Sequence, residues 1–592
     1  MGGAGQPHKP SIRGGARRVQ VKTGCRTCKV RKIKCDENRP ACRRCVSTGR
    51  VCDGYGVLGS EVNFYIHPLR APGSIGSVGY LQRPRVYPFT GTTEEWQYLE
   101  WFKYRTSKKI PGASILALWD PLLYSACWSE PAVLHAVLSL SSVHRREVYE
   151  SDYGRRVCDT PDKQERFTLQ HYTRAIRHLQ PPFAIRDKAS ARTALMTCFV
   201  FVCLELLCGH LATGQAHLEN GLRLLRELAV PVTEGNGILL FELVPGSIDD
   251  AIVRAFCRLD LQSKLFRHCY RHPCQVLQIS EDSSSSSSSP AIFRSVNQAW
   301  TQIEKIFGRV FHLTELARRQ QQVSRHATVE QPSSLESSLT QIQAEISRCF
   351  DTLEASRNSM QDQDSRGLAY GLLFTYHHMA AIMADTCLRA DDESVFDVHT
   401  QRFVSILDRA IVMWKAGRAE HTVAGPLPWP RIHMSRSIVD IGWIAPLYYT
   451  SLKCRAHRVR LQAIRLMETT SYREGMWDSK MASSVARRVM EIEEGDFYRD
   501  LGPVDDFALS SSPGIQALSL PTSPPRNRIC ELRMALSDGP ADPILLHYRQ
   551  AQTAWRDTLI FTGGGNERRD LQQSQSTASL REYLNGTENS QA

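Results

Sequence analysis

Six cysteines between positions 25 and 52 restrict what the N-terminal part of this chain can fold into. The segment CRTCKVRKIKCDENRPACRRCVSTGRVC has the spacing C-x2-C-x6-C-x6-C-x2-C-x6-C, and its two halves each read C-x2-C-x6-C. Six thiolates suit two tetrahedral zinc ions that share two sulfurs, because two separate four-thiolate sites would need eight ligands. An x2 gap lets two thiolates bind one ion, and an x6 gap fits a short helix and a returning turn. We therefore expect one helix to begin near Cys28 and another near Cys45.

The two halves carry different charges. Lys29, Arg31, Lys32 and Lys34 follow the first cysteine pair, whereas Arg50 is the only charge between Cys45 and Cys52. A short basic helix on a rigid zinc core can place Lys or Arg against guanine O6 and N7 in the major groove. The remaining cations would contact phosphates and set the docking angle.

This segment resembles the fungal Zn2Cys6 binuclear-cluster DNA-binding domain. The shared features are the cysteine pattern, the basic run KVRKIKC and the RPAC loop with Pro40. The resemblance implies two structural Zn2+ per chain and a division of the six ligands into bridging and terminal ones. It makes Cys25 and Cys42 the bridging ligands, Cys28 and Cys35 the terminal ligands of one zinc, and Cys45 and Cys52 those of the other.

The resemblance also implies which residues read DNA. The family's base-reading lysine corresponds to Lys32, with Arg31 beside it, and the family typically reads CGG-type half-sites. We expect phosphate contacts from the other cations of the cluster, which are Lys29, Lys34, Arg43 and Arg44.

A disulfide-linked secreted domain is the alternative for six cysteines. It would need an export signal, and residues 1–24 contain no apolar stretch of that kind. The remaining twelve cysteines are scattered in apolar or helical contexts, which is typical of reduced thiols in an intracellular protein.

The positive charge is concentrated at the N-terminus. Residues 1–58 contain fourteen Lys and Arg against three Asp and Glu, a net +11 of the chain's +12. A basic head on a nearly neutral body indicates a polyanionic partner for the head alone. No membrane partner is expected, since the most apolar run, Ala194–Cys208, is too short to cross a bilayer and is typical of a buried helix.

Composition divides the chain into segments. Thr92 and Glu95 match a capping box, and helical periodicity then continues through most of the body, which predicts an all-α fold. Gly- and Pro-rich linkers, a run of serines and a polar tail predict disorder between and after the folded parts. The expected organisation is a disordered basic arm (1–24), the cluster (25–52), a linker (53–91), an all-α regulatory domain (92–500, with a low-complexity insertion at 280–292) and a mostly disordered C-terminal region (501–592).

The body is similar to the fungal-specific transcription factor domain. The similarity rests on segments such as EWQYLEWF (95–102), WSEPAVLHAVLSL (128–140), APLYYTSLKCR (445–455) and REGMWDS (473–479). It implies a helical regulatory domain and supplies no catalytic residues. One further helix is expected over 433–467.

Three other groups of residues stay open as minor alternatives. His268, Cys269, His272 and Cys274 cluster potential metal ligands, although their spacing matches no closed tetrahedral pattern. The pairs His171/His178 and His210/His217 could each share a helix face, without the Glu-x-x-His motif of bundle metal sites. Residues 491–509 alternate acidic and apolar side chains, which is the composition of an activation segment or of a helix end with a solvated loop.

The sequence therefore predicts a nuclear, sequence-specific DNA-binding transcription factor that regulates RNA polymerase II genes, and not an enzyme. Its partner is double-stranded DNA. A homodimer, a coactivator and a small-molecule effector remain open, and no heptad run follows the cluster. The alternative is a small-molecule-sensing regulatory protein whose DNA contact is weak or vestigial.

Overall fold

The computed structural model resolves the chain into two compact units, Met1–Leu81 with His421–Arg431, and Gln82–Glu420 with Ile432–Ala592. The predicted arm 1–24 (apart from Gly2), residues 53–90 of the predicted linker 53–91, and residues 561–592 of the predicted C-terminal region 501–592 lie outside the described residues. The structure describes residues 2, 28, 33–36, 42–48, 91–110, 119–153, 161–179, 188–228, 238–242, 247–267, 276–280, 292–324, 333–359, 364–389, 392–423, 438–439, 442–469, 473–501, 504–514, 518–535, 538–539, 543–550 and 553–560.

The described part of the N-terminal unit contains one short helix, α1, over Arg43–Val46. Cys28 also lies in helical backbone. The helix expected near Cys45 thus begins two residues earlier than predicted.

The body is mostly helical, as predicted. Its first half contains helices with the following bounds: α2 Thr93–Trp101, α3 Trp119–Ala126, α4 Pro131–Tyr153, α5 Pro161–Leu179, α6 Lys188–Cys208, α7 Leu211–Leu228 and α8 Ile248–Arg267. A π-helical turn, Phe102–Thr106, and a short helix, Ser107–Lys109, extend α2.

The second half of the body continues the helical array. Its helices are α9 Val296–Ser324, α10 Ser333–Asn358, α11 Asp364–Thr386, α12 Thr400–Val423, α13 Ile444–Lys453, α14 His457–Glu468 and α15 Ser479–Glu494. Short 3-10 turns cover Cys387–Arg389, Glu393–His399, Arg499–Leu501 and Pro525–Asn527.

Local sequence signals account for several helix ends. The Thr92 hydroxyl accepts from the Glu95 backbone N–H at 3.3 Å, and the Glu95 carboxylate accepts from the Thr92 N–H at 2.6 Å. This reciprocal pair confirms the predicted capping box at the start of α2. Gly209, with φ +81°, ends α6 in the left-handed region that glycine adopts at little cost.

Helix α6 forms the centre of the core. Its Lys188–Cys208 span is long and apolar enough to cross a membrane, so the expectation that the apolar run is too short was wrong. The predicted buried helix is nevertheless confirmed, because Leu195 through Leu206, apart from the half-buried Cys198, are buried. Phe199, Val200 and Cys203 are fully buried.

The all-α expectation needs two corrections within the body. Strands β1 (Ile238–Glu242) and β2 (Val276–Ser280) pair in parallel, and β3 (Arg473–Glu474) with β4 (Trp477–Asp478) forms a two-residue antiparallel ladder. Pairing across more than thirty residues of sequence leaves no local periodic signal, which explains why the first pair was not predicted.

The expectation of a mostly disordered C-terminal region was also wrong for residues 529–535, 544–550 and 556–560. Strands β5 (Ile529–Ala535), β6 (Ile544–Gln550) and β7 (Arg556–Ile560) form an antiparallel sheet in the order β5-β6-β7. Leu546 is fully buried and belongs to the body's core. The Ser- and Pro-rich flanking sequence predicted disorder, so these strands were not predicted. Their stability comes from packing against the helices.

The REGMWDS segment binds the start of α13 through one buried carboxylate. The carboxylate of Glu474, fully buried, accepts backbone N–H groups of Gly442 at 3.0 Å and Ile444 at 3.1 Å. These donors lie at the start of α13, where helical N–H groups have no partner within the helix. A buried carboxylate at this position satisfies them and complements the positive end of the helix dipole.

The single helix expected over 433–467 is divided. Cys454 and Ala456 have extended backbone, and α13 ends and α14 begins on either side of them. The break directs Arg455 into the interior, where its guanidinium meets the Glu393 carboxylate and lies 2.8 Å from that of Glu493.

The acidic stretch 491–509 is largely part of the fold. Glu493 and Glu494 are buried, and Arg460 contacts their carboxylates at 2.6 and 2.9 Å respectively. His457 bridges Glu494 at 2.6 Å and Asp505 at 2.7 Å. These contacts favour the interpretation as a helix end with its loop over the activation segment.

Candidate metal centre and nucleic-acid interface

Three cysteines of the N-terminal unit converge. The Sγ atoms of Cys28, Cys35 and Cys42 all lie within 4.8 Å of one another, and Cys28 Sγ is 3.5 Å from Cys42 Sγ. Cys28 and Cys42 are fully buried. Two thiolates on one tetrahedral zinc, each at about 2.3 Å, are separated by about 3.8 Å, so this group has the dimensions of a zinc-thiolate site.

The converging sulfurs come from both halves of the duplicated motif. Cys28 and Cys35 belong to the first half, and Cys42 opens the second. Sequence reasoning predicted a ligand shared between the halves, and Cys42 of the second half lies beside the two cysteines of the first. Cys25 and Cys52 lie outside the described residues, and Cys45 lies in α1 with its side chain outside the description.

Local hydrogen bonds hold the ligand loops. The Ile33 backbone N–H donates to the Cys28 carbonyl at 3.1 Å, which curls the chain between the first two of these cysteines. The Asp36 carboxylate accepts the Arg43 N–H at 2.9 Å, so a residue of the loop between the two halves caps the first N–H group of α1. Sequence reasoning missed this contact, because Asp36 lies seven residues ahead of Arg43 and outside any local capping pattern.

The predicted DNA-contacting cations fall into two groups. Lys34, Arg43 and Arg44 are exposed, and Arg43 and Arg44 lie in α1 close to the thiolate group in sequence. Lys29, Arg31 and Lys32 lie outside the described residues. The described surface of this unit is therefore cationic, as phosphate contacts require.

The other histidine and cysteine groups have different outcomes. His268, Cys269, His272 and Cys274 lie outside the described residues. His210 Nδ1 is 2.8 Å from the Glu205 carboxylate, and His217 Nε2 is 2.7 Å from the Tyr172 hydroxyl, so this pair takes part in polar contacts of the core. His171 and His178 do share one region of α5, and His135 of α4, which sequence reasoning missed, joins them.

Two family models match the chain, one at the N-terminal cysteine segment and one over the helical body. Residues 23–57 match the family model described as the fungal Zn(2)-Cys(6) binuclear cluster domain. Residues 110–430, more than half of the chain, match that of the fungal specific transcription factor domain. No solved structure matches the chain.

Several curated proteins are similar over parts of the chain. The aspercryptin biosynthesis cluster-specific transcription regulator of Emericella nidulans is 32% identical over 262 residues, which cover 41% of each protein. The transcription regulator lscL of Purpureocillium lilacinum is 26% identical over 34% of this chain and 48% of its own length. An uncharacterized transcriptional regulatory protein of Schizosaccharomyces pombe is 53% identical over 127 residues, 22% of this chain and 20% of that one. The chain thus spans less than half the length of these relatives.

Proposed function

Since the chain belongs to the fungal specific transcription factor family, we propose that it binds double-stranded DNA through its cysteine cluster and regulates transcription by RNA polymerase II. The observation that carries this proposal is the convergence of Cys28, Cys35 and Cys42 beside exposed cations. The names of the relatives, which describe transcription regulators, support the same function.

Zinc in this protein is structural. We propose two ions per chain, with Cys25 and Cys42 bridging, Cys28 and Cys35 completing one site, and Cys45 and Cys52 completing the other. The presence of Cys42 among the ligands of the first half supports the bridging assignment. Because each thiolate pair closes a loop on the metal, the fold of this unit depends on the ions.

The DNA contacts follow from the position of the cations. Lys32, with Arg31, reads guanines of CGG-type sites in the major groove, where a cationic side chain meets O6 and N7. Lys29, Lys34, Arg43 and Arg44 hold phosphates, a role supported by the exposure of the last three. The protein acts in the nucleus, and the helical body receives a partner, a second copy of the chain or a small-molecule effector.

Selection of bound sequences from a random DNA pool tests this function. We expect enrichment of CGG-type sites, with one half-site for a monomer and two at fixed spacing for a dimer. Affinity for the selected site is expected to fall linearly on a log–log plot against salt, because bound phosphates release counterions. If no sequence is enriched, the proposed function fails, and the alternative of an effector-sensing protein with a vestigial DNA contact takes its place.

Lys32→Ala is expected to reduce discrimination at its base pair by about 1–3 kcal/mol, because a contact with a base edge is lost. The measurement compares the affinities of the variant and the wild type for the selected site and for single-base substitutions of it. Lys34→Ala is the matched control. It should weaken binding to all these sequences equally and lower the salt slope by about one. Unchanged discrimination in Lys32→Ala would assign base reading to another residue.

A further inference from the structure

Three histidines of the body lie together on two adjacent helices. We call His135 of α4 with His171 and His178 of α5 the histidine cluster. The Nδ1 atoms of His135 and His171 are 3.0 Å apart. The ring of His178 stacks on that of His135, with centroids 5.4 Å apart and an angle of 27° between the planes.

A carboxylate stands behind one of these imidazoles. Glu95 Oε1 lies 3.5 Å from His171 Nε2, on the opposite side of the ring from the Nδ1 that faces His135. A proton on Nε2 is favoured by this carboxylate, which leaves the Nδ1 lone pair directed at His135. Histidines that bind metals commonly have this arrangement, in which a carboxylate orients the ring from its far side.

The surroundings keep both facing imidazoles neutral. His171 is almost fully buried, and the Phe167 ring packs against it with centroids 4.2 Å apart. Burial disfavours the charged form of an imidazole. Neutral imidazole is the form that ligates metal ions. His178 is exposed and gives the cluster access to solvent.

We propose that the histidine cluster binds a divalent transition-metal ion of the zinc class between α4 and α5. Two imidazole nitrogens on a tetrahedral zinc are about 3.3 Å apart, close to the 3.0 Å between the two Nδ1 atoms. His178 supplies the third nitrogen after its exposed ring turns, and water completes the shell. Among the described residues only the three cysteines already hold three ligand atoms within 4.8 Å, so this turn is a requirement of the site.

One nearby charge opposes the ion. The Arg174 guanidinium lies 3.6 Å from Glu95 and partly neutralises the carboxylate behind His171. Its side chain is half exposed, so solvent screens its effect on the cluster. This site has imidazole ligands and no thiolate, unlike the cysteine group. Imidazole ligands suit zinc, nickel and copper ions.

Zinc content of the full-length protein tests the proposal. Wild type, His171→Gln and Cys28→Ser are dialysed against the same zinc buffer and analysed for bound zinc per chain. We expect His171→Gln to bind one equivalent of zinc less than the wild type. Cys28→Ser should lose zinc from the cysteine ligands and keep the equivalent that the histidine cluster binds. Equal zinc content in the wild type and His171→Gln would overturn the proposal.

A variant of the exposed ligand His178 separates loss of zinc binding from loss of folding. His178→Gln removes a solvent-exposed ring and should leave thermal unfolding in chelator unchanged. We expect it to weaken zinc binding at this site by about tenfold or more in competition with a chelator, whereas Arg177→Gln beside it should have no effect. If His178→Gln binds zinc as the wild type does, the three-histidine site is wrong.

Discussion

Cys42→Ser is expected to unfold the N-terminal unit and to reduce DNA affinity to the non-specific level, a loss of about 10³-fold or more. Cys42 is fully buried, and its Sγ lies 3.5 Å from that of Cys28. A bridging thiolate serves both ions, so its removal damages both sites. Since structural zinc contributes about 10–16 kcal/mol to folding, little of the unit's stability would remain. Fluorescence anisotropy on the selected DNA site and zinc analysis of the variant measure the effect.

Chelation should reproduce the Cys42→Ser result in the wild type. Cys208→Ser is the matched control, because this thiol lies at the end of α6 in the body and is free. We expect Cys208→Ser to bind the selected site like the wild type. Specific DNA binding that persists in Cys42→Ser, or in excess chelator, would refute a metal-dependent DNA-binding unit.

Glu493→Gln is expected to destabilise the body by about 3–5 kcal/mol, because it leaves two buried guanidiniums without their shared carboxylate. Glu493 lies 2.8 Å from Arg455 and 2.6 Å from Arg460, and all three side chains are almost fully buried. Its carboxylate also accepts the Ile529 N–H at 2.7 Å, which ties β5 to α15. Urea-induced unfolding monitored by tryptophan fluorescence measures the loss.

Glu491→Gln is the control on the same helix. Its carboxylate contacts Arg488 at 3.2 Å, but both side chains are about half exposed, so the change should stay within about 0.5 kcal/mol. A similar loss in the free energy of unfolding for Glu493→Gln and Glu491→Gln would show that the buried contacts of Glu493 stabilise the body no more than an exposed ion pair does.

The ion pairs of Glu493 also predict acid sensitivity. Burial by itself would raise the pKa of this carboxyl, but Arg455 and Arg460 outweigh burial and lower it. A group whose pKa is lower in the folded state contributes stability that is fully present above its unfolded pKa. This contribution should disappear as the pH falls through the folded pKa, and Glu493→Gln should abolish that part of the pH dependence.

Short sequence motifs predicted the structural features that depend on residues close together in the chain. The capping box at Thr92, the end of the core helix at Gly209 and the gaps that separate Cys28, Cys35 and Cys42 each follow from residues fewer than ten positions apart. The C-terminal sheet could not be predicted in this way, because contacts with distant residues stabilise its strands. The Ile529 N–H donates to the Glu493 carboxylate, and the Tyr448 hydroxyl donates to the Met534 sulfur. Polar flanking composition outweighed the weak alternation of its apolar residues.

The sequence by itself determined the cysteine cluster and the helical class of the body, since each gap between neighbouring ligands and each helical repeat spans fewer than ten residues. Only the tertiary structure decided which buried charges meet. Arg455, Glu393 and Glu493 are far apart in the chain, and a charge is stable in the interior only where the fold brings an opposite charge to it. The histidine cluster arose in the same way, because the packing of α4 on α5, rather than any spacing in the sequence, placed His135 against His171.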